Sequence, residues 1–216
     1  MTRLVRLGVL MGAAVGVYAT LVRPRHLAWG ATPDEVRDPL PGDDLVRAPD
    51  LSATRCVDID AEPGAVWPWI AQMGQGRGGL YSYDRLENLV GCDIHSVDQI
   101  VPEWQEVRVG DAFRLHPEIE LTVADVRIGE TLVLHGAVPA RGTQGEPPYD
   151  FSWAFVVRER PGGGTRLIVR ERYGYTRWWA PLLVEPVEVM DFVMTQKMLR
   201  GIRDRAERAL LADRVA

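Results

Sequence analysis

Residues 186–212 read PVEVMDFVMTQKMLRGIRDRAERALLA, and the fold turns on how that stretch is read. Val187, Met190, Met194, Met198, Ile202, Ala206 and Ala209 recur at helical steps, which places them on one face of an α-helix. Between them stand Lys197, Arg200, Arg203, Arg205 and Arg208, interleaved with Asp204 and Glu207, as on a solvated face. A helix this long with a single apolar stripe needs a second layer to cover the stripe.

The chain upstream supplies that layer. Residues 112–115, 121–126, 131–138, 150–158 and 165–173 are β-rich segments that alternate in polarity or are bounded by turn residues. Pro161, Gly162, Gly163 and Gly164 form a hairpin turn between the last two. Strands joined by short turns predict an antiparallel meander. Residues 54–60 alternate around Val57 and Ile59 and predict a first strand. Pro63 then opens a helix with Val66, Trp67, Trp69, Ile70 and Met73 as its apolar set, and Pro68 inside it predicts a kink. Residues 74–79 break that helix, residues 83–90 predict a second short one, and residues 91–110 form a long excursion. The predicted class is α+β: an antiparallel sheet and a long C-terminal helix, with two short helices after the first strand.

Three regions follow. Residues 54–216 make the main domain. Residues 26–53, rich in Pro, Asp and Gly, read as a connecting arm with one local helix. There Thr32, Pro33, Asp34 and Glu35 fit a capping box, and Asp38-Pro39 and Pro41-Gly42 stop the helix. In residues 1–25, no charged residue occurs from Leu7 to Val22, between Arg3 and Arg6 on one side and Arg23 and Arg25 on the other. As a helix, residues 7–22 would span about 24 Å, against about 30 Å of bilayer hydrocarbon. A single-pass N-terminal membrane anchor is expected. A signal peptide cleaved after Ala19 and a soluble helix are the alternatives. The basic flanks are balanced, so the side of the membrane is not readable.

Composition bounds the function classes. The chain has 216 residues, 46% hydrophobic and 25% charged, within the range of globular proteins. A net charge of -5 argues against nucleic acid as a partner, which calls for a basic footprint. Cys56 and Cys92 form no CxxC pair and read as two reduced thiols rather than a bridge.

The run Ile59-Asp60-Ala61-Glu62-Pro63-Gly64-Ala65-Val66-Trp67-Pro68-Trp69-Ile70 resembles the opening of the START-like (SRPBCC, helix-grip) superfamily: an apolar strand, a Pro junction, then an apolar helix ending at a Gly-rich turn. The order of elements over residues 54–212 is similar to that of its polyketide cyclase and pollen-allergen branches. The string Gly74-Gln75-Gly76-Arg77-Gly78-Gly79-Leu80-Tyr81-Ser82-Tyr83-Asp84 resembles uncharacterised actinobacterial-type members. The resemblance implies a helix-grip fold, a curved antiparallel sheet wrapped around the long C-terminal helix, with a cavity between sheet and helix. It is weak for function, since the superfamily hosts carriers, receptors and cyclases.

Gly74, Gly76 and Gly79 match GxGxxG by letter but follow a helix rather than a strand, so they read as a turn, not a nucleotide site. Asp93, His95, Asp98 and Glu103 share a polar loop whose spacing matches no strong metal motif; a loop network is expected, with His95 as a ligand contact the alternative. Tyr81, Tyr83 and Trp104 are candidates for the cavity mouth or for core packing. His135 and Trp153 on successive strands, with Met194 and Met198 on the terminal helix, are candidates for the lining. The strand pattern leaves open which face points inward, and a one-residue shift swaps the set. Arg170 and Arg172 flank Glu171; Arg170 turned inward would hold an anion, and turned outward would make surface pairs. No GxSxG occurs, and no metal or cofactor is expected. The expectation is a membrane-tethered domain binding a hydrophobic small molecule, lipid or polyketide-like, with Tyr81, Tyr83, His95, Trp104, His135, Trp153, Arg170, Met194 and Met198 as contacts. The alternative is a cyclase or dehydratase with His95 or His135 as base and Arg170 as oxyanion stabiliser.

Overall fold

The computed structural model describes residues 13, 16–136 and 147–213. Six strands form one antiparallel sheet: β1 (Leu51–Ile59), β2 (Ala112–His116), β3 (Ile119–Arg127), β4 (Thr131–Gly136), β5 (Tyr149–Glu159) and β6 (Thr165–Tyr175). Their spatial order is β1-β6-β5-β4-β3-β2, a meander whose last strand pairs with the first. Register shifts between Arg114 and His116 and between Val123 and Asp125 mark bulges, which bend a sheet and increase its twist. The helices are α1 (Arg23–Leu27), α2 (Pro33–Arg37), α3 (Pro63–Ala71), α4 (Asp84–Leu89) and α5 (Ala180–Asp213). The predicted architecture is present: a six-stranded antiparallel sheet packed against the long C-terminal helix, with two short helices after β1. Residues 137 and 138, expected in β4, lie outside the described residues.

The inner face of the sheet is set by alternation. Val57 and Ile59 on β1, Leu132 and Leu134 on β4, Phe151, Trp153, Phe155 and Val157 on β5, and Leu167 and Val169 on β6 belong to one core. They pack with Val66, Trp69, Ile70 and Met73 from the first helix segment and with Met198, Leu199, Ile202 and Ala206 from α5. Apolar burial of this kind is worth about 25 cal/mol per Å² and is what closes the helix over the sheet. Pro68 sits within α3, where it leaves the Gly64 carbonyl without its usual helical donor.

The outer face is covered by the arm. The capping box on α2 is formed in both directions, Glu35 N–H to Thr32 Oγ1 at 3.2 Å and Thr32 N–H to Glu35 Oε2 at 2.7 Å. Arg166 then donates to both oxygens of Glu35 at 2.7 Å. That guanidinium holds Glu35 down at about 2, against the opposing effect of burial, with help from the Thr32 backbone. Leu40 packs on Cys56, Val156 and Ile168, the apolar part of the outer face. No disulfide joins Cys56 and Cys92.

Two expectations need correction. The C-terminal helix starts at Ala180, not Pro186, which lies within it. The missing donor at Pro186 would serve Leu182, in a part of the helix exposed enough for water to replace it. The apolar stripe read from the sequence is also buried only in part: Val187 and Met190 are 54% and 53% exposed, whereas Val184, Glu188 and Thr195 face inward. Of the anchor expected over residues 7–22, residues 7–12, 14 and 15 lie outside the described residues. Among the described residues no helix is long and apolar enough to cross a membrane.

Candidate functional site

Between the first half of α5 and the open end of the sheet lies a partly open cavity of about 200 Å³. Its wall comes from five places: Leu80 and Ser82 after the Gly-rich turn, Glu87 on α4, Leu115 on β2, the β5 and β6 side chains, and Asp191, Met194, Thr195 and Met198 on α5. The β5 and β6 contribution is aromatic. Tyr149, Phe151 and Trp153 alternate along β5 and meet Tyr173 of β6, with ring centroids 5.5 Å apart for Tyr149–Tyr173 and 4.6 Å for Phe151–Tyr173. Alternation alone brings these residues to one face, because positions two apart on a strand point the same way.

The polar part of the wall is acidic. Glu171 is buried on the inner face of β6 and accepts from Arg55 Nη1 at 3.1 Å and Thr195 Oγ1 at 3.2 Å. The same Arg55 nitrogen reaches Asp191 Oδ2 at 2.8 Å. Arg55 is itself buried and lies over the Phe192 ring, 5.7 Å from its centroid. Burial, then the neighbouring Asp191 charge, push the Glu171 carboxyl up, while Arg55 opposes them. Behind this group, His26 Nε2 lies 2.5 Å from Glu188 Oε1, and Arg23 pairs with Glu188 at 3.0 Å and Glu185 at 2.6 Å. The arm is thereby stapled to the first half of α5.

Glu87 differs from the other acids. It is 2% exposed, and neither carboxyl oxygen has a hydrogen-bond partner among the described residues. The adjacent Ser82 hydroxyl donates to the Met194 carbonyl instead. Burial, then the charge of Asp84, push Glu87 up to about 7, with Ser82 opposing. On the same short helix Leu86 and Leu89 are 45% and 82% exposed. Polarity on α4 is thus inverted relative to an ordinary surface helix, with the acid inside and the leucines outside. The Trp153 indole N–H is a further buried polar atom of the wall without a hydrogen-bond partner among the described residues.

Of the residues singled out from the sequence, Trp153, Met194 and Met198 meet in this cavity. The other six lie elsewhere. Tyr81 is buried under α5 with φ of 56° and packs edge-on against Trp69. Its hydroxyl accepts from Gln72 Nε2, and Gly201 of α5 leaves the room its backbone needs, since a Cβ there would lie 2.3 Å from the Tyr81 carbonyl oxygen. Tyr83 caps α4 at the surface. His95 is exposed, 3.1 Å from Asp93. Asp98 pairs with Arg205, and no group of three or more His, Cys, Asp or Glu among the described residues is placed to hold a metal. Trp104 offers its carbonyl to Arg77 within the excursion.

His135 and Arg170 fall on the outer face because each is one residue off the inward register. His135 pairs in register with outward Ser152 and lies 3.0 Å from Asp150. Arg170 is buried among the arm, donating to Thr54 Oγ1, Asp43 Oδ2 and the carbonyls of Glu35, Val36 and Asp38. The inward neighbour of Arg170 is Glu171, so the polar wall carries the opposite charge to the one expected. Gly74 and Gly79 bridge to each other in a turn, and Gly79 has φ of 77° with Ser96 too close for any Cβ.

Sequence reasoning missed Glu87, Glu171, Asp191 and Arg55. Alternation on β6 would have found Glu171 as the partner of inward Leu167 and Val169. Nothing in the local pattern of α4 marks Glu87.

No protein-family model matches the chain, and no curated protein matches its sequence. Solved structures do. Protein NE0264 from Nitrosomonas europaea is 12% identical and aligns over 80% of this chain and 99% of its own, with a TM-score of 0.47. Protein MLL2253 from Mesorhizobium loti is 13% identical over 73% of this chain and 98% of its own, at 0.44. CalU16 from Micromonospora echinospora is 16% identical over 73% and 84%, at 0.36. At these identities and scores the likeness carries no argument about what is bound.

Proposed function

We propose that this chain is a START-like domain that binds a compact hydrophobic small molecule in the cavity beneath the first half of α5, on a chain tethered to a membrane through residues 7–22. The observation that carries the binding reading is the cavity wall: four aromatic rings, two methionines and two leucines, interrupted by a few buried polar groups. Such a wall is the usual make-up of a small-molecule site. Its volume, about 200 Å³, lies below the common range of roughly 300–1,000 Å³. The guest is therefore of one- or two-ring size, or enters only in part. A two-chain lipid does not fit inside.

The tether is supported by the uncharged run from Leu7 to Val22 and by apolar side chains left in the open beside it. Val17, Leu21 and Val22 are 53%, 52% and 46% exposed, and Leu182, Val187 and Met190 on the first half of α5 are exposed as well. Arg23 ties the two segments together. The enzymatic alternative loses its residues, because His95 is on the surface and His135 and Arg170 are on the outer face.

Native mass spectrometry of the full chain against a panel of one- and two-ring hydrophobic compounds tests the binding reading. A one-to-one complex is expected, abolished by Met194→Trp; no complex with any member overturns it. Membrane fractionation tests the tether. Full-length protein should sediment with membranes and resist alkaline wash, and the double variant Leu10→Lys, Ala14→Lys should not. Full-length protein in the soluble fraction overturns it.

A further inference from the structure

The cavity wall holds three carboxylic acids, Glu87, Glu171 and Asp191, and no basic side chain among the described residues. Glu171 and Asp191 already share Arg55, which stands behind them. Glu87 has no such cation among the described residues: it is 2% exposed, lines the cavity with Ser82 as its polar neighbour, and neither of its oxygens has a hydrogen-bond partner among the described residues. A buried polar group without a partner costs free energy, and a buried charge more. A sheltered carboxyl of this kind is explained if a guest completes it.

The chemistry of the rest of the wall says which guest. A carboxylate guest would face three acids, and like charges at such a site cost several kcal/mol. A neutral guest would satisfy the rings and leave Glu87 as it is. An ammonium group has donors for the Glu87 oxygens, an opposite charge for a site with surplus negative charge, and aromatic faces nearby. Tyr149, Phe151, Trp153 and Tyr173 supply those faces, and cations are drawn to them when desolvated. In a water-poor site a hydrogen-bonded ion pair is much stronger than at the surface.

We infer that the ligand is a compact hydrophobic amine, with its rings against Tyr149, Phe151, Trp153 and Tyr173 and its protonated nitrogen paired with Glu87. This rests on the small-molecule reading of the cavity and adds the charge class of the guest. Any proton still held by the Glu87 carboxyl, which is pushed up to about 7, is released to solvent when the ammonium pairs with it.

The test uses three matched probes on the full-length protein: 1-naphthylmethylamine, 1-naphthylmethanol and 1-naphthoic acid, titrated calorimetrically at pH 7.5. The amine is expected to bind at least about tenfold more tightly than the alcohol, a factor that corresponds to about 1.4 kcal/mol, and the acid to bind least. In Glu87→Gln the advantage of the amine over the alcohol should fall by about tenfold. Because the wild-type preference is read without any variant, a Glu87→Gln chain that failed to fold would not blunt the test. If alcohol and amine bind equally, or the acid binds best, the amine inference is overturned and the small-molecule reading stands. If the amine keeps its full advantage in Glu87→Gln, the assignment to Glu87 is overturned. If none of the three binds, both fall together.

Discussion

The second half of α5 buries Met198, Leu199, Ile202 and Ala206 against the sheet, whereas the first half turns Glu188, Asp191 and Thr195 inward and leaves Leu182, Val187 and Met190 in the open. One helix thus docks by two kinds of physics. In the second half apolar surface leaves water and the gain is non-directional. In the first half Arg55 and Arg23 position the helix through directed charge pairs, and His26 through a contact to Glu188. Buried pairs of this sort repay their desolvation poorly and are weak sources of stability, but they fix geometry. The cavity lies under that polar half, lined by Asp191, Met194 and Thr195 from the helix. The comparison teaches that the end of the interface which contributes least to stability is the end that leaves room for a guest.

The largest effect should come from removing the shared cation. Arg55→Met leaves Glu171 and Asp191 facing each other in the interior, at a cost of about 3–5 kcal/mol at pH 8, read as a fall in the urea midpoint. The pH dependence has a definite sign. The Glu171 carboxyl is raised in the folded state by burial and by Asp191. A raised carboxyl weakens the fold as pH climbs from its unfolded value through its folded one, and has no effect below both. Without Arg55 the rise is greater, so the loss should shrink by more than half at pH 4. A loss of equal size at both pH values would break the distinction between the two halves.

Leu199→Ala probes the other half. A cavity in a closed apolar core costs about 2–5 kcal/mol, and here it should be the same at pH 8 and pH 4. A pH-dependent loss would mean that the second half also docks through charge.

Glu87→Gln sharpens the picture at the cavity end, where the Asp84 charge acts on Glu87 and Glu171, Asp191, Tyr149 and Tyr173 line the same cavity. With its carboxyl raised from 4.5 to about 7, Glu87 weakens the fold increasingly as pH rises across that window. The variant should therefore be more stable than the parent by up to about 3 kcal/mol at pH 8, at 1.36 kcal/mol per pH step. The gain should vanish at pH 4. Denaturant melts at the two pH values decide it, and a destabilised variant at pH 8 would mean that Glu87 has a partner in solution.

The smallest effect belongs to the exposed apolar residues of the first half. Leu182→Ser should change stability by no more than about 0.5 kcal/mol. A larger loss in urea melts would show that this face is covered, and the contrast in burial between the halves would then be smaller than the structure has it.

Periodicity, turn residues and the capping box at Thr32 were enough to write down an antiparallel meander and a long C-terminal helix, because each is a local property: period two for strands, a near four-residue step for helices, Gly and Pro at the breaks. The site was legible only where its members are apolar, as with Trp153, Met194 and Met198. A pattern that counts apolar residues chose Val187 and Met190 as the inner face of α5 and placed no weight on Glu188 or Asp191, and it would set Leu86 and Leu89 of α4 inside. Which side of a charged residue faces the interior depends on whether a counter-charge waits there, and Arg55 lies more than a hundred positions away from both Glu171 and Asp191. The strand register decided the rest. One residue separates Arg170, which clamps the arm, from Glu171, which faces the cavity, and that choice is made by pairing with Thr54 and Ala53 across β1. The amino-acid sequence alone therefore determined the layers and their order. Tertiary structure decided which polar groups are inside and with what charge, since burial of a charge is settled by its distant partners and not by its neighbours in the chain.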